Sequence, residues 1–161
     1  MATKTITFDL SAVGINRAVR ELENYKKELI KKCDQVITVL AQKGEELAKL
    51  YIVALGAVAT GDLLTSIKGD FDKETRVGLV HVNGVDYAAY VEYGTGIVGT
   101  WSPHPEPWAY DIHDHGYEGW YFPGKDGIVY HTLGQPAHPF MYYTERDLRD
   151  ICQMIAAEVF K

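Results

Sequence analysis

His104, His113, Asp114 and His115 fall in one short stretch, with His131 and His138 further along the chain. Imidazoles and a carboxylate are the ligand set for zinc or iron, and an H-x-H pair chelates from an extended segment. Such a cluster would serve a metal-dependent hydrolase or nuclease, which is the main alternative reading. Hydrolytic metal sites, however, carry their ligands on rigid elements beside a general base. Here the candidates share a segment with Pro103, Pro105 and Pro107 and have no H-E-x-x-H spacing. Surface or interface histidines are therefore expected, with no metal and no cofactor.

Other chemistry is thinner still. Ser11, Ser66 and Ser102 lack the glycine elbow of a nucleophilic serine. Gly94, Gly96 and Gly99 spell G-x-G-x-x-G, but after a predicted helix rather than a strand and without Gly-Lys-Ser/Thr, so a phosphate cradle is not expected. Glu92 has no second acid placed with it, and reads as a solvated or N–H-capping carboxylate rather than a general base. Cys33 and Cys152 stand far apart with no C-x-x-C spacing. Both lie on apolar helical stripes and read as small buried hydrophobes in a reducing compartment. No catalytic residue and no enzyme activity are assigned.

The elements that would position these groups follow from periodicity. Apolar residues at Ile15, Val19, Leu22, Tyr25, Leu29, Cys33, Val36, Leu40, Leu47, Tyr51 and Ala54 step by threes and fours, the repeat of one helical face. They predict a long helix over 11–56, with Asp9 or Ser11 as N-cap and Asn24 as a place where it could divide. A helix of that order is longer than a small globule can bury, so part of it is expected to meet another subunit. Alternation and β-branched residues predict a hairpin over 65–83 turning at Lys73-Glu74. A short helix over 86–93 stops at Gly94. Residues 94–119 read as a long aromatic loop, 119–132 as a second hairpin, and 139–160 as a C-terminal helix entered through Pro139. Trp101, Trp108, Tyr110, Tyr117, Trp120 and Tyr121 suit a protein interface, since such rings bury large area while keeping a polar handle. The other reading is that they cover the sheet of their own subunit.

Composition sets the outer bounds. The 161 residues, 47% hydrophobic and 24% charged, suit one globular domain over 1–161. Sixteen Lys and Arg oppose 22 Asp and Glu, a net charge of −6, which is the wrong balance for a sequence-specific nucleic-acid binder. The longest apolar run, residues 50–59, is about half of what a membrane span requires. No secretory leader is read at the start, and a soluble protein made in a cytoplasm is expected.

Three segments together resemble one family. Thr60, Gly61, Asp62, Leu63, Leu64, Thr65, Ser66 and Ile67 follow a long helix. Tyr87, Ala88, Ala89, Tyr90, Val91, Glu92, Tyr93, Gly94, Thr95 and Gly96 come next. Gly134, Gln135, Pro136, Ala137, His138, Pro139, Phe140 and Met141 open the last helix. In this order they are similar to the tailed-phage head–tail joining family typified by the tenth gene product of phage HK-ninety-seven, over roughly residues 10–160. The aromatic hairpin at Trp120, Tyr121 and Phe122 adds to the likeness. His138 departs from it, standing where Arg or Lys is common, and so do Tyr142, Tyr143 and Thr144.

The resemblance implies a virion structural protein of the neck or tail-completion type. Its partners would be other copies of itself in a ring and the phage head-closure, connector and tail proteins. DNA would pass through without sequence-specific binding; no membrane and no small-molecule substrate enter. Its place would be the virion neck, and the host cytoplasm during assembly. A stand-alone binding module is a further alternative. The expected fold is α+β: a small antiparallel sheet with the long N-terminal helix, the short helix and the C-terminal helix packed against it. Gly61 and Gly94 are expected to supply backbone angles that other residues resist. Tyr87, Tyr90 and Val91 should form one face packed on the hairpin, and Phe140 should be the first core anchor of the last helix.

Overall fold

The three-and-four spacing of the first third becomes a single helix, α1 (Ala12–Ala54), of 43 residues and about 64 Å at 1.5 Å per residue. Ser11 starts it: the backbone there is extended and its Oγ accepts the Gly14 N–H at 3.0 Å, satisfying one of the donors a first turn leaves open. Asn24 does not divide it. The computed structural model describes residues 5–106, 117–124 and 126–161.

Beyond α1 come α2 (Asp62–Ser66), strands β1 (Ile67–Asp72) and β2 (Val77–Val82), and the short helices α3 (Ala88–Tyr93) and α4 (Gly96–Trp101). Strands β3 (Trp120–Pro123), β4 (Val129–Thr132) and β5 (Gly134–Gln135) precede α5 (Phe140–Val159). The architecture is α+β, as expected. The strands, however, form two separate two-stranded antiparallel sheets, β1–β2 and β3–β4, rather than one. Ile67 pairs with Val82 and Asp72 with Val77 across the first hairpin, and Trp120 with Thr132 across the second. Helix α4 lies inside the stretch read as loop, its glycines having masked a single helical turn and a half.

Small residues on α1 explain how the hairpin reaches it. Ala41, Gly44, Ala48 and Ile52 are buried at steps of three and four. A Cβ at Gly44 would stand 2.5 Å from Cγ2 of Val80, and one at Gly69 would stand 2.0 Å from the carbonyl oxygen of Ala41. The mid-helix Gly44, a penalty of about 1 kcal/mol by propensity, is what lets β2 lie on the helix. The core continues from Ala48 and Ile52 through Leu63, Ile67, Val91 and Phe140. Phe140 is 1% exposed and anchors α5, as expected.

Helix α5 runs antiparallel along α1. Tyr51 Oη donates to Asp147 Oδ2 at 2.5 Å, and its ring lies 5.4 Å from that of Tyr143. That bond to a carboxylate holds the Tyr51 hydroxyl above its ordinary pKa of 10.0, with burial adding to the effect. At the far end the Lys32 ammonium sits 5.6 Å from the Phe160 ring. Residues of α1 before Lys32 therefore extend past the end of α5. Cys33 lies at this boundary and is exposed, and Cys152 is partly exposed, which corrects the expectation that both are buried. Along the α1 stripe before Cys33, Ile15, Val19, Leu22 and Leu29 are exposed while Gly14 and Ala18 are buried. Among the described residues no helix is long and apolar enough to cross a membrane.

Candidate functional site

The segments that carry the family resemblance converge in space. Residues 60–67 supply Leu63 and Ile67, residues 87–96 supply Val91, and residues 134–141 supply Phe140, all to one buried cluster. Thr60 and Gly61 shape the entry to α2, and Ser66 its last turn. Thr60 Oγ1 donates to Asp62 Oδ2 at 2.5 Å, Ser66 Oγ donates to the Leu63 carbonyl at 2.7 Å, and Gly61 has φ 85°. That angle fits the expectation for Gly61, and φ 78° at Gly94 does the same.

Glu92 is the centre of the polar part. It is 6% exposed. Its Oε2 accepts the Met141 N–H at 2.9 Å, and its Oε1 accepts the Tyr142 N–H at 3.0 Å. These are first-turn donors of α5. Pro139, at the N-cap position, makes no side-chain cap bond, so a carboxylate from α3 caps the helix in its place. Negative charge there also meets the positive end of the helix dipole. The capping expectation holds for Glu92; the solvated one does not.

His104 closes the arrangement. It is 8% exposed, and its Nε2 lies 3.0 Å from Glu92 Oε1. The Glu106 N–H donates to Nδ1 at 3.0 Å. Nδ1 also lies 3.1 Å from the Glu106 carbonyl oxygen, and towards an ionised Glu92, which only accepts, Nε2 is the donor. The ring is flanked by Tyr93 at 4.5 Å and Tyr142 at 5.3 Å between centroids. Both ring nitrogens are engaged inside the protein, so this candidate ligand is taken, and a surface position for His104 is corrected to a buried one. His131 Nε2 lies 2.6 Å from the Glu118 carbonyl oxygen. His113, Asp114 and His115 lie outside the described residues. Among those described, no group of three His, Cys, Asp or Glu side chains could hold a metal ion.

Backbone crossing fixes the rest. Thr95 and Gly96 bridge Gln135 and Gly134 in antiparallel fashion. The Gln135 N–H donates to Thr95 Oγ1 at 3.2 Å, and its side-chain amide donates to the Tyr90 carbonyl at 3.0 Å. Gly134 has φ 101°, and a Cβ there would stand 1.9 Å from the Thr95 carbonyl oxygen. The Ala137 N–H donates to the Ser102 carbonyl at 3.1 Å, and the His138 N–H to that of Val91 at 2.9 Å. The G-x-G-x-x-G spacing is thus occupied by a chain crossing, with Pro136 and Pro139 directing the strand into α5. Met141 is half-buried against the core. Tyr87 and Tyr90 are 42% and 60% exposed, correcting the expectation of a packed face: α3 is too short to bury more than Val91 and its neighbour Glu92.

Beside this scaffold lies an open groove of about 360 Å³, lined by Ile52, Val58, Leu63, Leu64, Tyr87 and His138. Of the aromatic interface candidates, Trp101, Tyr117 and Tyr121 are 69%, 72% and 74% exposed, and Trp120 is half-buried. The Tyr121 ring lies 4.8 Å from that of His131, its cross-strand partner on β4. Trp108 and Tyr110 lie outside the described residues. The capping of α5 by Glu92 was legible only in part: a proline at the helix start implies a cap from elsewhere, but nothing in the spacing names the element that supplies it. No family model, curated protein or solved structure matches the chain.

Proposed function

We propose that this chain is a non-enzymatic structural protein of a tailed-phage virion, of the neck or tail-completion type. In this reading it forms part of a ring-shaped connector that joins the DNA-filled head to the tail. The observation that carries the reading is the use to which the buried polar groups are put. Glu92, His104 and the 95–96/134–135 crossing tie α3, α4 and α5 together, so the polar residues of the segments that carry the resemblance are engaged in the scaffold.

The surfaces support the same reading. Exposed Trp101, Tyr117 and Tyr121 and the exposed half of α1 offer different faces for neighbours, and a head-to-tail contact that closes on itself gives a ring. The acidic balance of −6 suits a passage for DNA, because a basic lumen would hold the phosphates. Partners are other copies and the phage head-closure, connector and tail proteins, in the virion and, during assembly, in the host cytoplasm.

The test is genetic. Phage lacking this gene should make full heads and separate tails that do not join, or tails with defective ends, and purified protein should restore joining. A normal yield of infectious particles without the chain would refute the proposal. Tight retardation of duplex DNA at physiological salt would refute the part concerning the lumen.

A further inference from the structure

Residues 12–31 of α1 form an arm that runs for about 30 Å beyond the end of α5, whose last turn lies beside Lys32. Along it Ile15, Val19, Leu22 and Leu29 share one helical stripe, and all four are exposed. Leu22 and Leu29 alone, at 56% and 39% exposed, make a stripe that a solitary helix does not need. Charge surrounds it unevenly. Residues 12–32 carry six Lys and Arg against Glu21, Glu23 and Glu28, a net +3, leaving ten against 19 elsewhere, a net −9. Two such arms laid together would bring like charge to like charge. An acidic surface with an apolar floor is the better complement.

The opposite end of the molecule offers that surface. The groove floored by Ile52, Leu63 and Leu64 is lined from residues 52–64, 87–91 and 135–138, and none of these segments contains Lys or Arg. Asp62 within these segments and Asp86 beside Tyr87 are exposed, and Val58 and Tyr87 present apolar area at 47% and 42% exposed. Leu22 and Ile52 lie at opposite ends of one helix, about 45 Å apart.

We propose that the basic, apolar arm of one copy docks on the acidic groove of a second copy, so that each chain offers a donor at one end and an acceptor at the other. Such a contact is heterologous, and repeats into a closed ring or an open fibre according to the angle it imposes. The inference rests on the ring reading for its setting.

The test uses the full chain in native mass spectrometry and carbodiimide cross-linking. An arm variant, Leu22→Glu with Leu29→Glu, and a groove variant, Val58→Lys with Asp86→Lys, change exposed residues only, and circular dichroism checks that each keeps its helix content. Wild type should assemble, with inter-copy cross-links from Lys26 or Lys27 to Asp62 or Asp86. Each variant alone should self-associate on the order of a hundredfold more weakly. Mixed together they should form heterodimers and nothing larger, since one intact arm meets one intact groove. Assembly by either variant alone overturns the proposal, and so does a mixture without heterodimers. A wild type that stays monomeric at millimolar concentration, or that uses the arm to bind anionic vesicles instead, overturns it as well. None of these outcomes touches the head–tail joining test, and a failure there leaves the arm–groove contact standing.

Discussion

The two halves of α1 are written in similar residues and have opposite fates. From Ala41 to Ile52 the helix turns Ala41, Gly44, Ala48 and Ile52 inward under the hairpin and α5. From Ile15 to Leu29 it turns bulkier apolar residues to solvent. Side-chain size accounts for the contrast. Alanine and glycine let the backbone of β1 and the Val80 side chain come close, whereas leucine and isoleucine at the same spacing would hold a second element further away. One half packs within the chain; the other leaves its bulky stripe exposed, with only the small Gly14 and Ala18 beside it buried.

Mutations that separate the two halves should differ in size. Phe140→Ala, on the buried side, should lower the unfolding free energy by about 3–5 kcal/mol, read by urea denaturation; a loss under 1 kcal/mol would mean that α5 is not anchored there. Glu92→Ala leaves the Met141, Tyr142 and His104 donors without their acceptor. About 3 kcal/mol is expected, with faster amide exchange in the first turn of α5. Gly134→Ala combines a positive φ with a clash against Thr95 and should cost about 2 kcal/mol, measured as a drop in Tm; an unchanged Tm would argue against the crossing.

Glu45 probes the junction between the buried half and the hairpin. Its hydrogen bond to Lys49, and then its acceptance of the Gly69 N–H, hold its carboxyl below the ordinary 4.5. The ionised form is therefore favoured by folding, so its contribution is present above about pH 4.5 and is lost as pH falls through the lower folded value. Glu45→Gln should flatten that acid limb of stability, seen in denaturation midpoints between pH 3 and pH 7. The smallest effect belongs to the arm. Leu22→Ala should change stability of the lone chain by less than about 0.5 kcal/mol, and a larger loss would place an intrachain partner on the stripe.

Periodicity made much of this fold legible. The long helix, the first hairpin with its turn at Lys73-Glu74, the short helix ending at Gly94 and the last helix all stand within a few residues of where spacing puts them. Helix α4 was not legible, because Gly96 and Gly99 read as loop while the bridge to Gln135 and Gly134 holds the turn in place. Exposure was harder to read than secondary structure. Cys33, Tyr87 and Tyr90 sit on apolar stripes, and a stripe reports which residues share a face without saying whether anything covers it. The partnership of His104 with Glu92 was equally hidden, since it depends on the chain folding back between them.

An unbroken helix of 43 residues also behaves as a lever. With no proline in it and no break between arm and core, a load on the tip at Ile15 passes to Ile52 and the Tyr51–Asp147 tie with no loop between to absorb it. Whatever grips the arm thereby sets the bearing of the whole body.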